Sequence, residues 1–179
     1  MRRCTPLLNL SIIRLSDYNP KWKDSFKNEY LIISDMIPDE VVKFEHFGST
    51  SVPGMKAKPV IDMMVLVKDI NQIDSYNSKF GEAGYDVAGE WGIPDRRLLR
   101  KGGDDRTHHI HIYQEGHPEI YRHLAVRDYL LEHPEEVKAY SDLKTKFAQS
   151  YDETPEYRNA KRDYVVALEK RALSYFRTK

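Results

Sequence analysis

Cysteine is nearly absent from this chain of 179 residues, which contains only Cys4. A single cysteine cannot form a disulfide within the chain, and it cannot build a thiolate metal cluster. We therefore expect a cytoplasmic protein, because the cytosol is reducing. The segment MRRCTPLLNLSII is expected to be a short arm or first strand and not a secretory signal, because Asn9 and Arg14 break its apolar run.

The chain also lacks net charge and long apolar runs. Its 28 lysine and arginine residues balance 28 aspartate and glutamate residues, so no global basic field favours nucleic acid as a partner. No segment approaches the roughly 20 apolar residues of a membrane-spanning helix, so no membrane association is expected. With 40% hydrophobic residues, the composition is typical of a globular protein with one core, and it leaves homo-oligomerisation open.

The order of periodic segments predicts an α+β fold. A first helix begins at Pro20 after Asn19 and ends before Pro38. Strand patterns and one helical pattern then alternate, with the strands at 41–47, 59–67, 85–92, 96–101 and 107–114, and the helix at 69–84. From Pro118 onward three helices are predicted.

We therefore predict a single compact domain in two parts. Residues 1–116 would form a mixed sheet with flanking helices, and residues 117–179 a C-terminal helical segment packed on it. Two tyrosines and two lysines of this segment are interpreted as solvated or helix-packing positions: Tyr140, Lys144, Tyr157 and Lys161.

The loop after the first predicted strand is a candidate binding site for phosphate. Its first four residues combine one glycine with three hydroxyl groups: Gly48, Ser49, Thr50 and Ser51. Glycine permits close backbone approach, and free N–H groups at such a turn bind anions. Lys56 and Lys58 would add positive charge. The alternative is an ordinary turn with solvated lysines, because short glycine motifs are weak signals.

Asp62 is a charged residue inside the apolar segment PVIDMMVLV. Strand alternation puts it on the same face as Val60, Met64 and Leu66. A carboxylate in such a strand needs a metal ion, an arginine or a set of hydrogen bonds to offset its desolvation. Asp62 is therefore predicted to be a catalytic residue and a metal ligand, and the alternative is a structural buried salt bridge.

Two histidines in RTHHIHIYQ are candidate metal ligands. His109 and His111 alternate, so they project from one face of a strand, while His108 points to the other face. Together with Asp62 they would form a nitrogen and oxygen ligand set for a divalent ion such as magnesium, manganese or zinc. The alternative is one packed and one exposed histidine, because a histidine pair alone is a weak metal signal.

The segment from residue 88 to 101 contains further candidates. Glu90 is interpreted as a catalytic acid or general base, or else as a surface carboxylate. Arg96, Arg97 and Arg100 are interpreted as phosphate ligands, because guanidinium groups match phosphate oxygens. Since RRLLRK carries charge on both faces, it also has the pattern of an edge strand that resists aggregation.

Several separated segments in order resemble the GrpB family: EHFGSTSVPGMKAKPVIDMMV, GYDVAGEWGIPDRRLLRK, RTHHIHIY and HLAVRDYLLEHPEEVKAYSDLK. The resemblance extends from about Ile12 to about Leu173. It implies a nucleotidyltransferase-like fold, in which a Gly-Ser turn holds nucleotide phosphates and strand acids hold divalent metal, usually magnesium. Gly48 and Ser49 match the turn, and Asp62 matches one acid. Met64 stands where a second acid is usual, so one ion is favoured over two.

These residues favour one function and leave two alternatives. The favoured function is a nucleotidyltransferase-like protein that binds a nucleotide with a divalent metal and transfers a nucleotidyl group to an unknown small molecule. Met64 favours the first alternative, a non-catalytic regulatory module that binds nucleotide and metal. The histidine pair favours the second, a metal-dependent hydrolase of phosphoesters or anhydrides, because a bound ion can activate water.

Overall fold

The computed structural model describes residues 14–151 and 154–179, so Cys4 and most of the predicted amino-terminal arm lie outside the described residues. Within them, five strands form one mixed sheet in the order β1-β2-β5-β4-β3. The strands are β1 Val41–Phe47, β2 Ile61–Val67, β3 Asp86–Gly89, β4 Arg96–Lys101 and β5 His108–Gln114. β2 and β5 pair in parallel, and the other neighbours pair antiparallel. The predicted α+β fold is confirmed.

Helices flank the sheet on both faces. They are α1 Trp22–Met36, α2 Ile70–Ile73, α3 Asn77–Glu82, α4 Pro118–Glu132, α5 Pro134–Ser150 and α6 Thr154–Arg177. Among the described residues, no helix combines the length and the apolar character that crossing a membrane requires. The helix predicted at 69–84 forms in pieces, with a 3-10 turn at Asp74–Tyr76 between α2 and α3. The helix is interrupted here because aspartate, serine and asparagine are weak helix formers. Asp74, at the start of the 3-10 turn, also binds Arg97 at 2.6 Å.

The alternation along β2 divides the core. Met63, Val65 and Val67 pack with Ile33 of α1 and with residues of α2 and α3. Met64 and Leu66, on the opposite face, pack with Phe47, Tyr113 and two residues of α4. Asp62 lies on this second face, at the start of the strand, so its carboxylate points toward the side of the sheet that the C-terminal helices cover.

The C-terminal helices are bound to the sheet by both apolar and polar contacts. Val52 and Met55, from the loop before β2, pack with Leu168 and Ala172 of α6. Arg127 of α4 lies 2.6 Å from Glu45 of β1 and donates to the carbonyl of His46 at 3.1 Å. These contacts fix α6 beside the loop that follows β1, and α4 against β1 itself.

The edge-strand interpretation of RRLLRK is wrong, because β4 lies between β5 and β3. Its charges are tolerated inside the sheet because three of the four have an ionic partner on another element. Arg97 binds Asp74, Arg100 binds Asp86, and Lys101 lies 2.7 Å from Glu29. Ion pairing therefore replaces solvent exposure as the explanation for a strand that carries charge on both faces.

We predict that Glu29→Ala lowers the free energy of unfolding by roughly 3 kcal/mol, because it breaks a buried polar network. Glu29 is only 3% exposed, and it accepts hydrogen bonds from Lys101 Nζ and from the Tyr85 hydroxyl. Urea denaturation measures the change. Asp35→Ala, on the exposed side of the same helix, is the control, and equal effects of the two variants would contradict the prediction.

Candidate functional site

A cavity of about 170 Å³ lies where the loop after β1, the start of β2 and the last two helices meet. Its lining includes five residues predicted from the sequence: Ser49, Thr50, Lys58, Asp62 and His109. Two further charged residues line it, Lys144 of α5 and Lys161 of α6. Among the described residues, three lysines therefore share the lining with one carboxylate, an arrangement whose charge favours an anion.

Gly48 lets the loop pass directly over Asp62. Its backbone has φ 71° and ψ −172°, a region that only glycine occupies readily. A Cβ atom at this position would lie 2.5 Å from Oδ2 of Asp62. The loop then turns sharply, and the Ser51 hydroxyl donates to the Gly48 carbonyl at 2.7 Å. This approach brings Ser49 and Thr50 beside the carboxylate, whereas Ser51 is used to close the turn.

Asp62 is half-buried on the cavity wall, and that position explains how a carboxylate persists in an apolar strand. Its side chain is 30% exposed, and Oδ1 lies 3.3 Å from Nδ1 of His109. The two residues are register partners on the parallel strands β2 and β5. Partial hydration together with the imidazole offsets the desolvation of the carboxylate, and the pair that Asp62 forms with His109 is partly exposed and not fully buried.

Thr50 and Ser49 have different partners in the loop. Thr50 is buried, and its hydroxyl lies 3.0 Å from Nε2 of His46. Burial lowers the pKa of His46 to about 4, so this imidazole is neutral at pH 7. The Ser49 hydroxyl accepts a hydrogen bond from Nζ of Lys144 at 3.0 Å, which joins the loop to α5.

Lys144 and Lys161 correct the sequence interpretation, which assigned them to solvent or to helix packing. Lys144 is only 2% exposed, and burial, followed by the charge of Lys161, lowers its pKa from 10.5 to about 7. Burial, followed by the charge of Lys58, lowers the pKa of Lys161 to about 8. An anion in the cavity would stabilise the charged form of both lysines, because a nearby opposite charge offsets the effect of burial.

A repeated spacing in the sequence could have identified these two lysines as members of the site. Tyr140 precedes Lys144 by four residues, and Tyr157 precedes Lys161 by four. Residues four apart lie on one helix face, and each ammonium does lie over its tyrosine, 4.5 Å and 4.6 Å from the ring centroids. Lys58 lies 5.2 Å from the ring of Tyr157. The aromatic rings thus help to hold the three charged groups around the cavity.

His111 lies on the same face as His109 but in a different environment. Its Nδ1 is 3.4 Å from Arg96, and its ring packs edge-on against Phe47. Burial lowers the pKa of His111 to about 3, so its ring is neutral at pH 7. Across residues 14–151 and 154–179, no three His, Cys, Asp or Glu side chains form a group that could hold a metal ion. Of the three metal ligands predicted from the sequence, Asp62 and His109 lie together, whereas His111 contacts Arg96.

The structure does not bring Glu90 or two of the arginines into the cavity. The Glu90 carboxylate accepts from the Asp95 N–H at 2.8 Å and lies 3.8 Å from Arg97, whose own partner is Asp74 on the opposite face of the sheet. Arg96 is buried and binds loop carbonyls.

Arg100 and Lys56 also lie outside the lining of the cavity, although both are close to the site. Arg100 is the register partner of His109, and it binds Asp86. Lys56 binds Asp17, and its backbone N–H donates to Ser141 of α5 at 3.1 Å. Arg100 therefore lies beside His109 on the next strand, whereas Lys56 helps to hold the loop against the helices.

Comparisons with known proteins agree with the fold. A family model described as GrpB protein matches residues 12–171. The crystal structure of conserved protein GrpB from Enterococcus faecalis has a TM-score of 0.87 at 40% identity, over 91% of this chain and 99% of that chain. UPF0157 protein YqkA of Bacillus subtilis is 39% identical over 156 residues, which are 87% of this chain but only 46% of YqkA. UPF0157 protein SCO7215 of Streptomyces coelicolor is 34% identical over 89% of this chain and 84% of its own length.

We predict that Gly48→Ala destabilises the protein by roughly 1 to 3 kcal/mol, because alanine is strained at this φ and ψ and its Cβ would displace the Asp62 carboxylate. Thermal and urea unfolding measure the change. Gly81→Ala is the matched control, since Gly81 lies in α3 with open space around it, where alanine is favoured. Equal stability of the two variants would contradict the close approach.

We predict that Lys144→Met raises the free energy of unfolding by roughly 1 to 3 kcal/mol at pH 6, because it removes a buried charge. The unfolded chain keeps the Lys144 proton up to about pH 10.5, whereas the folded chain releases it near pH 7. Unfolding therefore takes up a proton between these values, and the stability of the wild type rises with pH. The advantage of Lys144→Met should shrink from pH 7 toward pH 10.

Lys146→Met is the control for this prediction, because Lys146 is exposed on the same helix. It should change the stability by less than about 0.5 kcal/mol at every pH. If Lys144→Met is less stable than the wild type at pH 6, the ammonium is well stabilised in the folded protein and its charge needs no ligand.

Proposed function

The chain belongs to the GrpB family, and we propose that it binds a nucleotide in this cavity and transfers a nucleotidyl group to a small molecule. One observation carries the proposal. Lys58, Lys144 and Lys161 converge on a cavity in which Asp62 is the one carboxylate that the described residues contribute to the lining. Phosphate groups supply the negative charge that this arrangement favours, and they accept hydrogen bonds from ammonium groups and hydroxyls.

The size of the cavity supports phosphate groups as its occupant. A volume of about 170 Å³ is below the range of roughly 300 to 1,000 Å³ for pockets that enclose a whole small molecule. The phosphates would enter between Ser49, Lys144 and Lys161, while the nucleoside stays outside the cavity. Transfer to an acceptor would then occur at the mouth, where Asp62 and His109 are partly exposed.

We propose one divalent ion, magnesium, manganese or zinc, on Asp62 and His109. A carboxylate oxygen and an imidazole nitrogen that lie 3.3 Å apart fit two positions of one coordination sphere, and phosphate oxygens would complete it. The residues do not fit a second ion, because Met64 is fully buried where a second carboxylate would be needed to bridge two ions. The ion would neutralise charge that develops on the phosphates.

The proposed reaction is a displacement at the α-phosphorus of the nucleotide. The acceptor's oxygen or nitrogen forms a bond to phosphorus as the bond to pyrophosphate breaks, and the acceptor's proton passes to water. The lysines would stabilise the leaving pyrophosphate through charge-assisted hydrogen bonds. We do not assign Glu90 a part in this step, because its carboxylate belongs to the loop after β3.

Two other functions use the same cavity. Met64 favours a nucleotide-binding module without catalysis, because one carboxylate is a poor basis for two-metal chemistry. A hydrolase would use water as the acceptor at the same ion. Incubation with α-labelled nucleotide and metal separates the three functions. Transfer labels a new small molecule, hydrolysis releases phosphate or pyrophosphate with no labelled acceptor, and a binding module leaves the nucleotide intact.

We predict that Lys144→Gln and Lys161→Gln each weaken nucleotide binding about 10- to 100-fold, since each removes charge-assisted hydrogen bonds of roughly 1.5 to 3 kcal/mol. Calorimetric titration with ATP, GTP, CTP and UTP, with and without each metal, measures the affinity. Asp62→Asn should abolish the gain in affinity that the metal provides. Without metal, the same variant should bind phosphates more tightly than the wild type, because it removes a repulsive charge.

Lys146→Gln and Lys170→Gln are the matched controls, because these lysines are exposed on α5 and α6. Both should bind nucleotide as the wild type does. If the wild type binds no nucleotide under any condition, or if Lys144→Gln and Lys161→Gln bind it unchanged, phosphate recognition at this cavity is excluded.

A further inference from the structure

Trp91 is an exposed aromatic side chain in the loop between β3 and β4. Its residue is 60% exposed, whereas Trp22, the other of the two tryptophans in the chain, is buried at 6%. The ring of Trp91 lies over the guanidinium of Arg100, 4.3 Å from ring centroid to Cζ. Arg100 binds Asp86, so one face of the indole is backed by a neutralised, planar group.

The loop is built to hold Trp91 in this position. Trp91 has φ 44°, a left-handed conformation that is unfavourable for a bulky side chain. Arg96, which is only 5% exposed, stabilises the conformation by donating to the carbonyl of Glu90 at 3.0 Å and to the carbonyl of Trp91 at 2.8 Å. A buried arginine is therefore used to fix the backbone beneath an exposed indole.

Register places this indole beside the cavity. Arg100 pairs with His109, and His109 pairs with Asp62, across three adjacent strands. All three side chains point to one face, and two strand spacings separate Asp62 from Arg100, which is about 10 Å. His109 lies between them with 37% of its side chain exposed. His109 and Arg100 therefore lie in sequence across the sheet between Asp62 in the cavity lining and the ring of Trp91.

We propose that Trp91, backed by Arg100, stacks the base of the nucleotide whose phosphates occupy the cavity. This inference rests on the proposed function and adds the site of the base to it. The cavity is smaller than pockets that enclose a whole small molecule, so the nucleoside would lie outside it, toward Arg100, whose strand is about 10 Å from the strand of Asp62. Stacking accepts every base, and purines should bind more tightly because their rings are larger.

The test compares a ligand that has a base with one that lacks it. ATP and inorganic triphosphate are titrated by calorimetry into the wild type, Trp91→Leu and Trp91→Phe. Trp91→Leu should weaken ATP binding about 5- to 100-fold, the loss expected for one stacked base, and should leave triphosphate binding unchanged. Trp91→Phe should retain most of the affinity. Tyr121→Leu removes a different exposed aromatic side chain, which lies on α4. This control variant should bind both ligands with the affinity of the wild type.

Tryptophan fluorescence gives a second readout, which detects ligand binding directly in the wild type. ATP should quench the emission of Trp91 in the wild type, whereas triphosphate should not. In Trp91→Phe the quenching that ATP causes and triphosphate does not should disappear, because the remaining Trp22 is only 6% exposed and cannot stack on a base. Circular dichroism of Trp91→Leu checks that the fold is intact, as expected for a substitution at an exposed site.

The outcomes separate this inference from the proposed function. If the wild type binds both ligands and Trp91→Leu binds ATP with unchanged affinity, stacking is overturned while phosphate binding stands. An equal loss of ATP and triphosphate in a folded Trp91→Leu also overturns it, because the effect would not depend on the base. If the wild type binds neither ligand, the proposed function fails, and the stacking site fails with it.

Discussion

The close approach of Gly48 to Asp62 is the constraint on which the candidate site depends. A single Cβ atom at residue 48 would come within 2.5 Å of the carboxylate, so the loop can cross the start of β2 only with glycine there. The crossing puts hydroxyl groups and a carboxylate within one small cavity. It also holds the acid at the end of its strand, where water and His109 can reach it. The same contact therefore shapes the cavity and makes a charged strand residue tolerable.

The charges of the cavity come from two different parts of the fold. The sheet and its loop supply Asp62, His109 and the hydroxyls, whereas the two most buried cations, Lys144 and Lys161, come from α5 and α6. Burying ammonium groups together is unfavourable, and the lowered pKa values of both lysines report that cost. Apolar packing of Val52 and Met55 against α6 offsets it. The helical segment is in this sense part of the site and not only a cover for the sheet.

The periodicity of the sequence was sufficient to predict the fold class and the part of the site that lies on the strands. The two-residue alternation of a strand predicts that Asp62 shares a face with Met64 in β2 and that His109 shares a face with His111 in β5. The parallel pairing of β2 with β5, which alternation does not predict, makes Asp62 and His109 neighbours. Periodicity could not place Lys144 and Lys161, because helical spacing shows which residues share a face but not what that face meets. The same limit applies to β4, where charge on both faces suggested an edge. Asp74, Asp86 and Glu29, distant in sequence, neutralise that strand from outside it.

The bond between Ser49 and Lys144 joins residues 95 positions apart, and the bond between Lys56 and Ser141 joins residues 85 apart. Contacts of such long sequence separation require closure of a long loop, and chains rich in them fold slowly. The hairpin of β4 and β5, by contrast, needs only local closure. We therefore expect the cavity to assemble late in folding, after the sheet has formed. A ligand held there would act mainly on the rate of unfolding, so occupancy would lengthen the lifetime of the native state more than it would speed its formation.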